Sequence, residues 1–135
     1  MTMRVSTGVR DGAASAFATE VDAGAGTSVL ELRSGTPPTN LTDAAAGTLL
    51  ASFDLPATSF GAPSTGTITA NSIDATTGDD DGTVGHFRVV NGDGDAVEDS
   101  DSVGTSGTEL VLNTLEISTG VDVEITSWTV TFPES

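Results

Sequence analysis

The chain has 135 residues, a length that predicts one domain able to bury a hydrophobic core of its own. Its 20 acidic residues stand against four basic ones (Arg4, Arg10, Arg33 and Arg88), giving a net charge of −16 with no lysine and no cysteine. These counts exclude disulfides and thiolate metal sites. They also argue against nucleic-acid binding, because backbone phosphates need a basic patch that four scattered arginines do not make.

Asp outnumbers Glu about two to one, and Thr and Ala are abundant. Such a surface repels itself in dilute buffer, whereas at molar ionic strength the Debye length is about 3 Å and the repulsion is screened. The composition therefore reads as salt-adapted and points to a haloarchaeal source or a virus of one. Disorder also produces acidity, but the apolar runs described next are too regular for it. Mimicry of DNA charge is a minor alternative. The opening residues, "MTMRVSTGVRDG", hold no apolar h-region, and no later run is long enough to span a bilayer. The expectation is a protein made in the cytoplasm that has no membrane partner.

Residues 5–23 predict an N-terminal helix. Val5, Val9, Ala13, Phe17 and Val21 recur every four positions, with Ala14 and Ala18 beside them, Ser6 or Thr7 as N-cap and Gly24 as stop. The stripe is narrow, so the helix needs something to lie against. Strands are predicted over 28–34, 48–55, 66–73, 84–90, 95–103, 109–113, 114–118 and 121–132, separated by Gly, Pro, Asn and Asp. In 84–90, Phe87 and Val89 are expected inward, with His86 and Arg88 on the opposite face. The segment 95–103 is polar enough for a sheet edge. In the last strand Val121, Val123 and Ile125 share one parity and Trp128, Val130 and Phe132 the other, so a β-bulge near Thr126–Ser127 is expected. The alternative there is a strand covered on both sides. Together these elements predict a mostly β fold, an antiparallel β-sandwich of jelly-roll type with one helix, forming a single domain over 1–135 without internal repeats.

The acidic stretch "TTGDDDGTVGHFRVVNGDGDAVEDSDSVG" (76–104) admits two readings. "NGDG" at 91–94 supplies the left-handed conformations of a tight turn, which makes 84–90 and 95–103 a hairpin with a solvated acidic skin. Alternatively, Asn91, Asp93 and Asp95 alternate as in a calcium-binding EF-hand loop. That match fails at Ala96, where Gly is required, and at Ser102, where a bidentate Glu is required. An irregular site for Ca²⁺ or Mg²⁺ built from Asp79, Asp80 and Asp81, or from Asp93 and Asp95, is the metal reading; otherwise no cofactor is expected. No catalytic set is assigned. His86 is the only histidine, no G-x-S-x-G elbow is present, and the carboxylates lie in predicted turns rather than in a cleft. Glycines 24–26 precede a strand rather than opening a helix and so do not make a dinucleotide loop. The connector "SVGTSGTEL" (102–110) reads equally as a turn and as a contact loop.

Three segments together carry a resemblance: the short helix, "LELRSGTPPTNLTDAAAGTLLASFDLP" (30–56) and "HFRVVNGDGDAVEDSDSVGTSGTELVLNTLEISTGVDVEITSWTVTFP" (86–133). Their order resembles that of small virion structural proteins of tailed bacteriophages and tailed haloarchaeal viruses. In these a helix and a strand lead to a Pro-containing loop and "GTLLA", then an "FRV" hairpin with a (D/N)-G turn, "SVGTSG", and a Thr/Val strand ending in Pro. The chain departs from that pattern at "EDSDSVGTSG", where the family tends to have Gly before "SVGTSG". The resemblance covers most of the chain and implies a virion component that is not an enzyme. A capsid decoration, cement or turret protein comes first, acting with the major capsid protein or other virion proteins and as a homo-oligomer. A tail or head–tail connector protein comes second. A carbohydrate- or cation-binding surface module is the reading independent of assembly, and it leans on the Asp clusters and on Trp128.

Overall fold

The computed structural model describes residues 4–132; Pro133, the expected end of the last strand, lies outside them. The fold is mostly β, with a single N-terminal helix and a sandwich-like arrangement of sheets. Helix α1 spans Thr7–Val21, and Ser6 caps it by accepting the Val9 amide. Twelve short strands follow: β1 (Val29–Arg33), β2 (Leu49–Asp54), β3 (Thr67–Thr69), β4 (Thr76–Thr77), β5 (Gly82–Thr83), β6 (His86–Val90), β7 (Ala96–Ser100), β8 (Val103–Gly104), β9 (Leu110–Leu112), β10 (Glu116–Ile117), β11 (Asp122–Val123) and β12 (Ile125–Thr131). One four-stranded sheet has the order β2-β1-β6-β7 and the other β3-β12-β9-β8; β5 with β10 and β4 with β11 form two ribbons. Among the described residues, no helix is long and apolar enough to cross a membrane.

Several strands are shorter than their sequence patterns suggest. The segment 66–73 narrows to β3, 95–103 divides into β7 and β8, and 121–132 divides into β11 and β12. Each division falls where the chain changes partner: β11 pairs with β4, whereas β12 pairs with β3 and β9. The expected bulge is present. Ile125 lies opposite Leu112 and Ser127 opposite Val111, so Thr126 is the extra residue that turns Trp128 and Val130 inward. β8 and β9 run parallel, an exception to the antiparallel expectation.

The helix buries only part of the predicted stripe. A step of four residues overshoots one turn by about 40°, so Val5, Val9, Ala13, Phe17 and Val21 wind around the axis. The inward set is Ala14, Phe17, Ala18 and Val21, whereas Val9 is 57% exposed and Ala13 is exposed. Phe17 meets Phe60, Phe132 and Trp128 edge-on at centroid distances of 5.8, 6.0 and 6.5 Å, and Trp128 also meets Phe60 at 4.7 Å and Phe87 at 6.3 Å. Each buried ring contributes about 1.5–3 kcal/mol through its removal from water, so this aromatic group is what fastens α1 to the sandwich. At the helix start Arg10 donates to the carbonyls of Phe132 (2.9 Å) and Thr65 (2.7 Å), and Asp11 accepts the Gly66 amide (2.6 Å).

The hairpin predicted from "NGDG" joins β6 to β7, and β7 is an edge strand as expected. Its turn is also a docking point for the end of α1. Gly92 donates to the Ala23 carbonyl (2.8 Å) and Gly26 to the Gly92 carbonyl (3.2 Å). A Cβ on Gly92 would sit 2.3 Å from the Gly26 carbonyl oxygen, so only glycine permits this approach. Asn91 is the keystone. Its side-chain oxygen accepts the amides of Asp93 and Asp95, both at 3.0 Å, and its side-chain nitrogen donates to the Glu20 carbonyl at 3.3 Å. Asn91→Ala is expected to lower stability by about 1–2 kcal/mol in chemical denaturation; an unchanged midpoint would contradict this account of the turn.

Candidate functional site

Strand alternation brings Glu31 and Arg33 of β1 onto one face beside His86 and Arg88 of β6. The register sets Glu31 opposite Arg88, Arg33 opposite His86, and Arg88 opposite Asp99 of β7. Charges of opposite sign thus alternate across three strands, the arrangement that stabilises directly opposed pairs. Phe87 and Val89 point the other way, into the core, as expected. His86 and Arg88 do occupy the opposite face, but that face is not the surface: His86 is 0% exposed and Arg88 6%. The segment 34–47 lies over it as a roof.

The polar side chains hold that roof by its backbone. Arg88 donates from Nη2 to the carbonyls of Leu41 (2.7 Å) and Asp43 (2.9 Å). Its Nε lies 3.5 Å from Asp99 Oδ1, with both side chains only 7% exposed. Arg33 pairs with Glu31 at 3.0 Å. His86 Nδ1 lies 3.0 Å from the Gly35 carbonyl. Since a carbonyl only accepts, Nδ1 carries the proton, and Nε2 remains buried without a hydrogen-bond partner. Both Asp99 oxygens likewise lack a hydrogen bond. Burial pushes the Asp99 carboxyl up from its ordinary value, against the pull of Arg88, His86 and Arg33. An open cleft of about 640 Å³ runs along the roof, lined by Glu31, Arg33, Leu41, Arg88 and Asp95 among others. The guanidinium of Arg88 is occupied by the chain's own carbonyls, so the pair on the face opposite Phe87 and Val89 is a clamp between a sheet and its cover.

A second buried polar chain crosses between the sheets. Trp128 Nε1 donates to Glu109 Oε2 at 3.1 Å, and Glu98 of β7 lies against Glu109. Burial first, then the hydrogen bond and charge of Glu109, then Asp99, push the Glu98 carboxyl up to about 9. Glu98 therefore holds its proton at pH 7, with Glu109 as its acidic neighbour. The sequence placed Glu98 in a polar edge strand, and nothing local distinguishes it from its acidic neighbours.

The aspartates of the metal reading lie on two separate turns. Asp79, Asp80 and Asp81 join β4 to β5, and Asp93 and Asp95 join β6 to β7. Asp79 donates its amide to the Leu50 carbonyl (2.7 Å), and Asp80 Oδ1 accepts the Asp81 amide (2.8 Å). Asp81 Oδ1 accepts both the amide (2.7 Å) and the hydroxyl (3.1 Å) of Thr119, first the one and then the other holding its carboxyl below the ordinary range. The Asn91 oxygen, first ligand of the calcium-loop alignment, is taken by two amides. Among the described residues, no group of three or more His, Asp or Glu side chains is placed to hold a metal ion. Trp128 is 1% exposed and belongs to the core, so it offers no platform on which a sugar could stack.

The sequence signal that was available for the roofed face is the charge pattern itself. Glu31 and Arg33 in one strand and His86 and Arg88 in another share a parity, which on adjacent strands makes them a set. Compared with protein-family models, curated proteins and solved structures, the chain matches none of them.

Proposed function

We propose that this protein is a virion structural component of a halophilic tailed virus, a capsid decoration or cement protein that works by assembly on the major capsid protein. The observation that carries this reading is the direction of its basic groups. Arg10, Arg33 and Arg88 direct their guanidinium groups to the chain's own carbonyls and carboxylates, and His86 is enclosed. The exterior is consequently dominated by carboxylates, a surface that stays hydrated and dispersed in concentrated salt. The enclosure of His86 favours assembly over turnover, because an imidazole with no exposed surface meets no substrate.

In a sedimentation assay in molar salt, the purified protein is expected to pellet with virions of its source and to saturate at a fixed ratio to the major capsid protein. Protein that stays in the supernatant at every ratio would overturn the proposal. Binding confined to isolated tails would replace decoration by the tail role.

A further inference from the structure

The outward face of the β3–β12 pair carries no charged residue on either strand. From Leu55 to Ile73 and from Ile125 to Phe132 the chain contains no Asp, Glu, Arg, Lys or His, although it carries 20 acidic residues in all. The fold brings these two segments together. Thr69 lies opposite Thr129 and Thr67 opposite Thr131, with the Thr67 and Thr131 hydroxyls 3.1 Å apart. Ser127 continues the row on β12, while Ile68, Trp128 and Val130 point to the core. Thr69, Ser127 and Thr131 are exposed, and Thr67 and Thr129 are half-buried. At the Gly66 end Arg10 and Asp11 are already engaged by backbone groups.

We infer that this hydroxyl-and-methyl face is a self-association surface, and that its occupant is the same face of a second copy of this chain. The inference rests on the assembly reading above and names one contact surface within it. The charge distribution selects the occupant. A basic partner would be attracted by carboxylates and would need no neutral area. A partner as acidic as this chain can approach only where no carboxylate meets another, since like charges brought together weigh heavily against association. Threonine is also self-complementary: its hydroxyl both donates and accepts, and its methyl packs on another methyl. A two-fold axis parallel to the sheet plane, running between the two faces, sets one ladder on the other, the isologous arrangement of most homodimers.

The two kinds of contact respond oppositely to salt. Attraction between unlike charges weakens as salt rises, whereas two like-charged molecules meeting through a neutral face associate more readily as their repulsion is screened. In analytical ultracentrifugation the wild type is expected to shift from monomer to dimer or larger species as salt is raised to the molar range. Thr69→Glu, at an exposed strand position, should weaken that association about ten-fold or more. Thr39→Glu, which adds the same charge at an exposed position of the roof over β1 and β6, should leave it unchanged. Because the chain has no cysteine, pyrene on Thr69→Cys gives an independent readout: excimer emission is expected there and not from Thr39→Cys. A wild type that stays monomeric in molar salt, or a Thr69→Glu variant that is folded by circular dichroism and associates like wild type, overturns the inference. Virion sedimentation separates this failure from that of the broader proposal. Wild type that pellets with particles while Thr69→Glu self-associates normally loses the face and keeps the assembly role. Wild type that dimerises through Thr69 but ignores particles does the reverse.

Discussion

Arg88→Ala is expected to lower unfolding free energy by about 3–5 kcal/mol, the range for removing one partner of a buried ion pair. Two losses combine. Asp99, 7% exposed at its side chain, is left without its counter-charge, and the carbonyls of Leu41 and Asp43 lose their donor. Because Asp99 is already pushed up by burial, it protonates more readily once Arg88 is gone, so the deficit should shrink as pH is lowered. Hydrogen exchange should show the second loss directly, with the hydrogen-bonded amides of Asn40, Asp43 and Thr48 exchanging faster while those of β1 and β6 change less. Arg88→Lys keeps a charge but not the planar fork that reaches Asp99 and two carbonyls together, so it should rescue only part of the loss. A fall below 1 kcal/mol for Arg88→Ala would show that the roof is held by other contacts.

Glu98→Gln is expected to stabilise the protein at neutral and alkaline pH and to flatten its pH dependence. The folded chain retains a proton on Glu98 up to a pH of about 9, whereas the unfolded chain releases it near the ordinary value of 4.5. This group's contribution is therefore complete in acid and is lost as pH rises from about 4.5 toward 9. Each pH unit within that window corresponds to about 1.4 kcal/mol per proton retained. Wild type should thus lose about 3–4 kcal/mol more than Glu98→Gln between pH 5 and pH 8. Glutamine keeps a donor toward Glu109 and has no charge to desolvate. Trp128 is the only tryptophan and donates to Glu109, so its emission should report the alkaline transition in wild type and not in the variant. Parallel stability curves for the two proteins would refute this account of the Glu98–Glu109 pair.

How much of this was legible in the sequence depends on the range of the interaction. Local signals were read well. Ser6 caps the helix, "NGDG" turns the hairpin, and the parity change between Ile125 and Trp128 locates the bulge at Thr126. Each is decided by a few neighbouring residues. The helix stripe was read in part: Ala14, Phe17, Ala18 and Val21 do face the sheet, but a strict four-residue spacing drifts around the axis and carries Val9 and Ala13 away from it. The roof over His86 and Arg88 was invisible because "GTPPTNLTDAAAG" has no apolar pattern. It is held by its own carbonyls, which every sequence supplies, and the donors lie 45 to 51 positions away. The Glu98–Glu109 contact was hidden for the same reason: a neutral carboxylic acid and a solvated carboxylate are written with one letter.

The outer margins of β2 and β3 have a consequence for the protein at high concentration. The Leu50 carbonyl accepts the Asp79 amide, and the Thr69 carbonyl accepts the Gly61 amide, beside an isolated bridge between Phe60 and Ala70. Passing chain thus takes up part of each margin and leaves a foreign strand fewer free main-chain groups there. Stacking of strands onto these two places is hindered, which works against amyloid growth from either of them when many molecules crowd together.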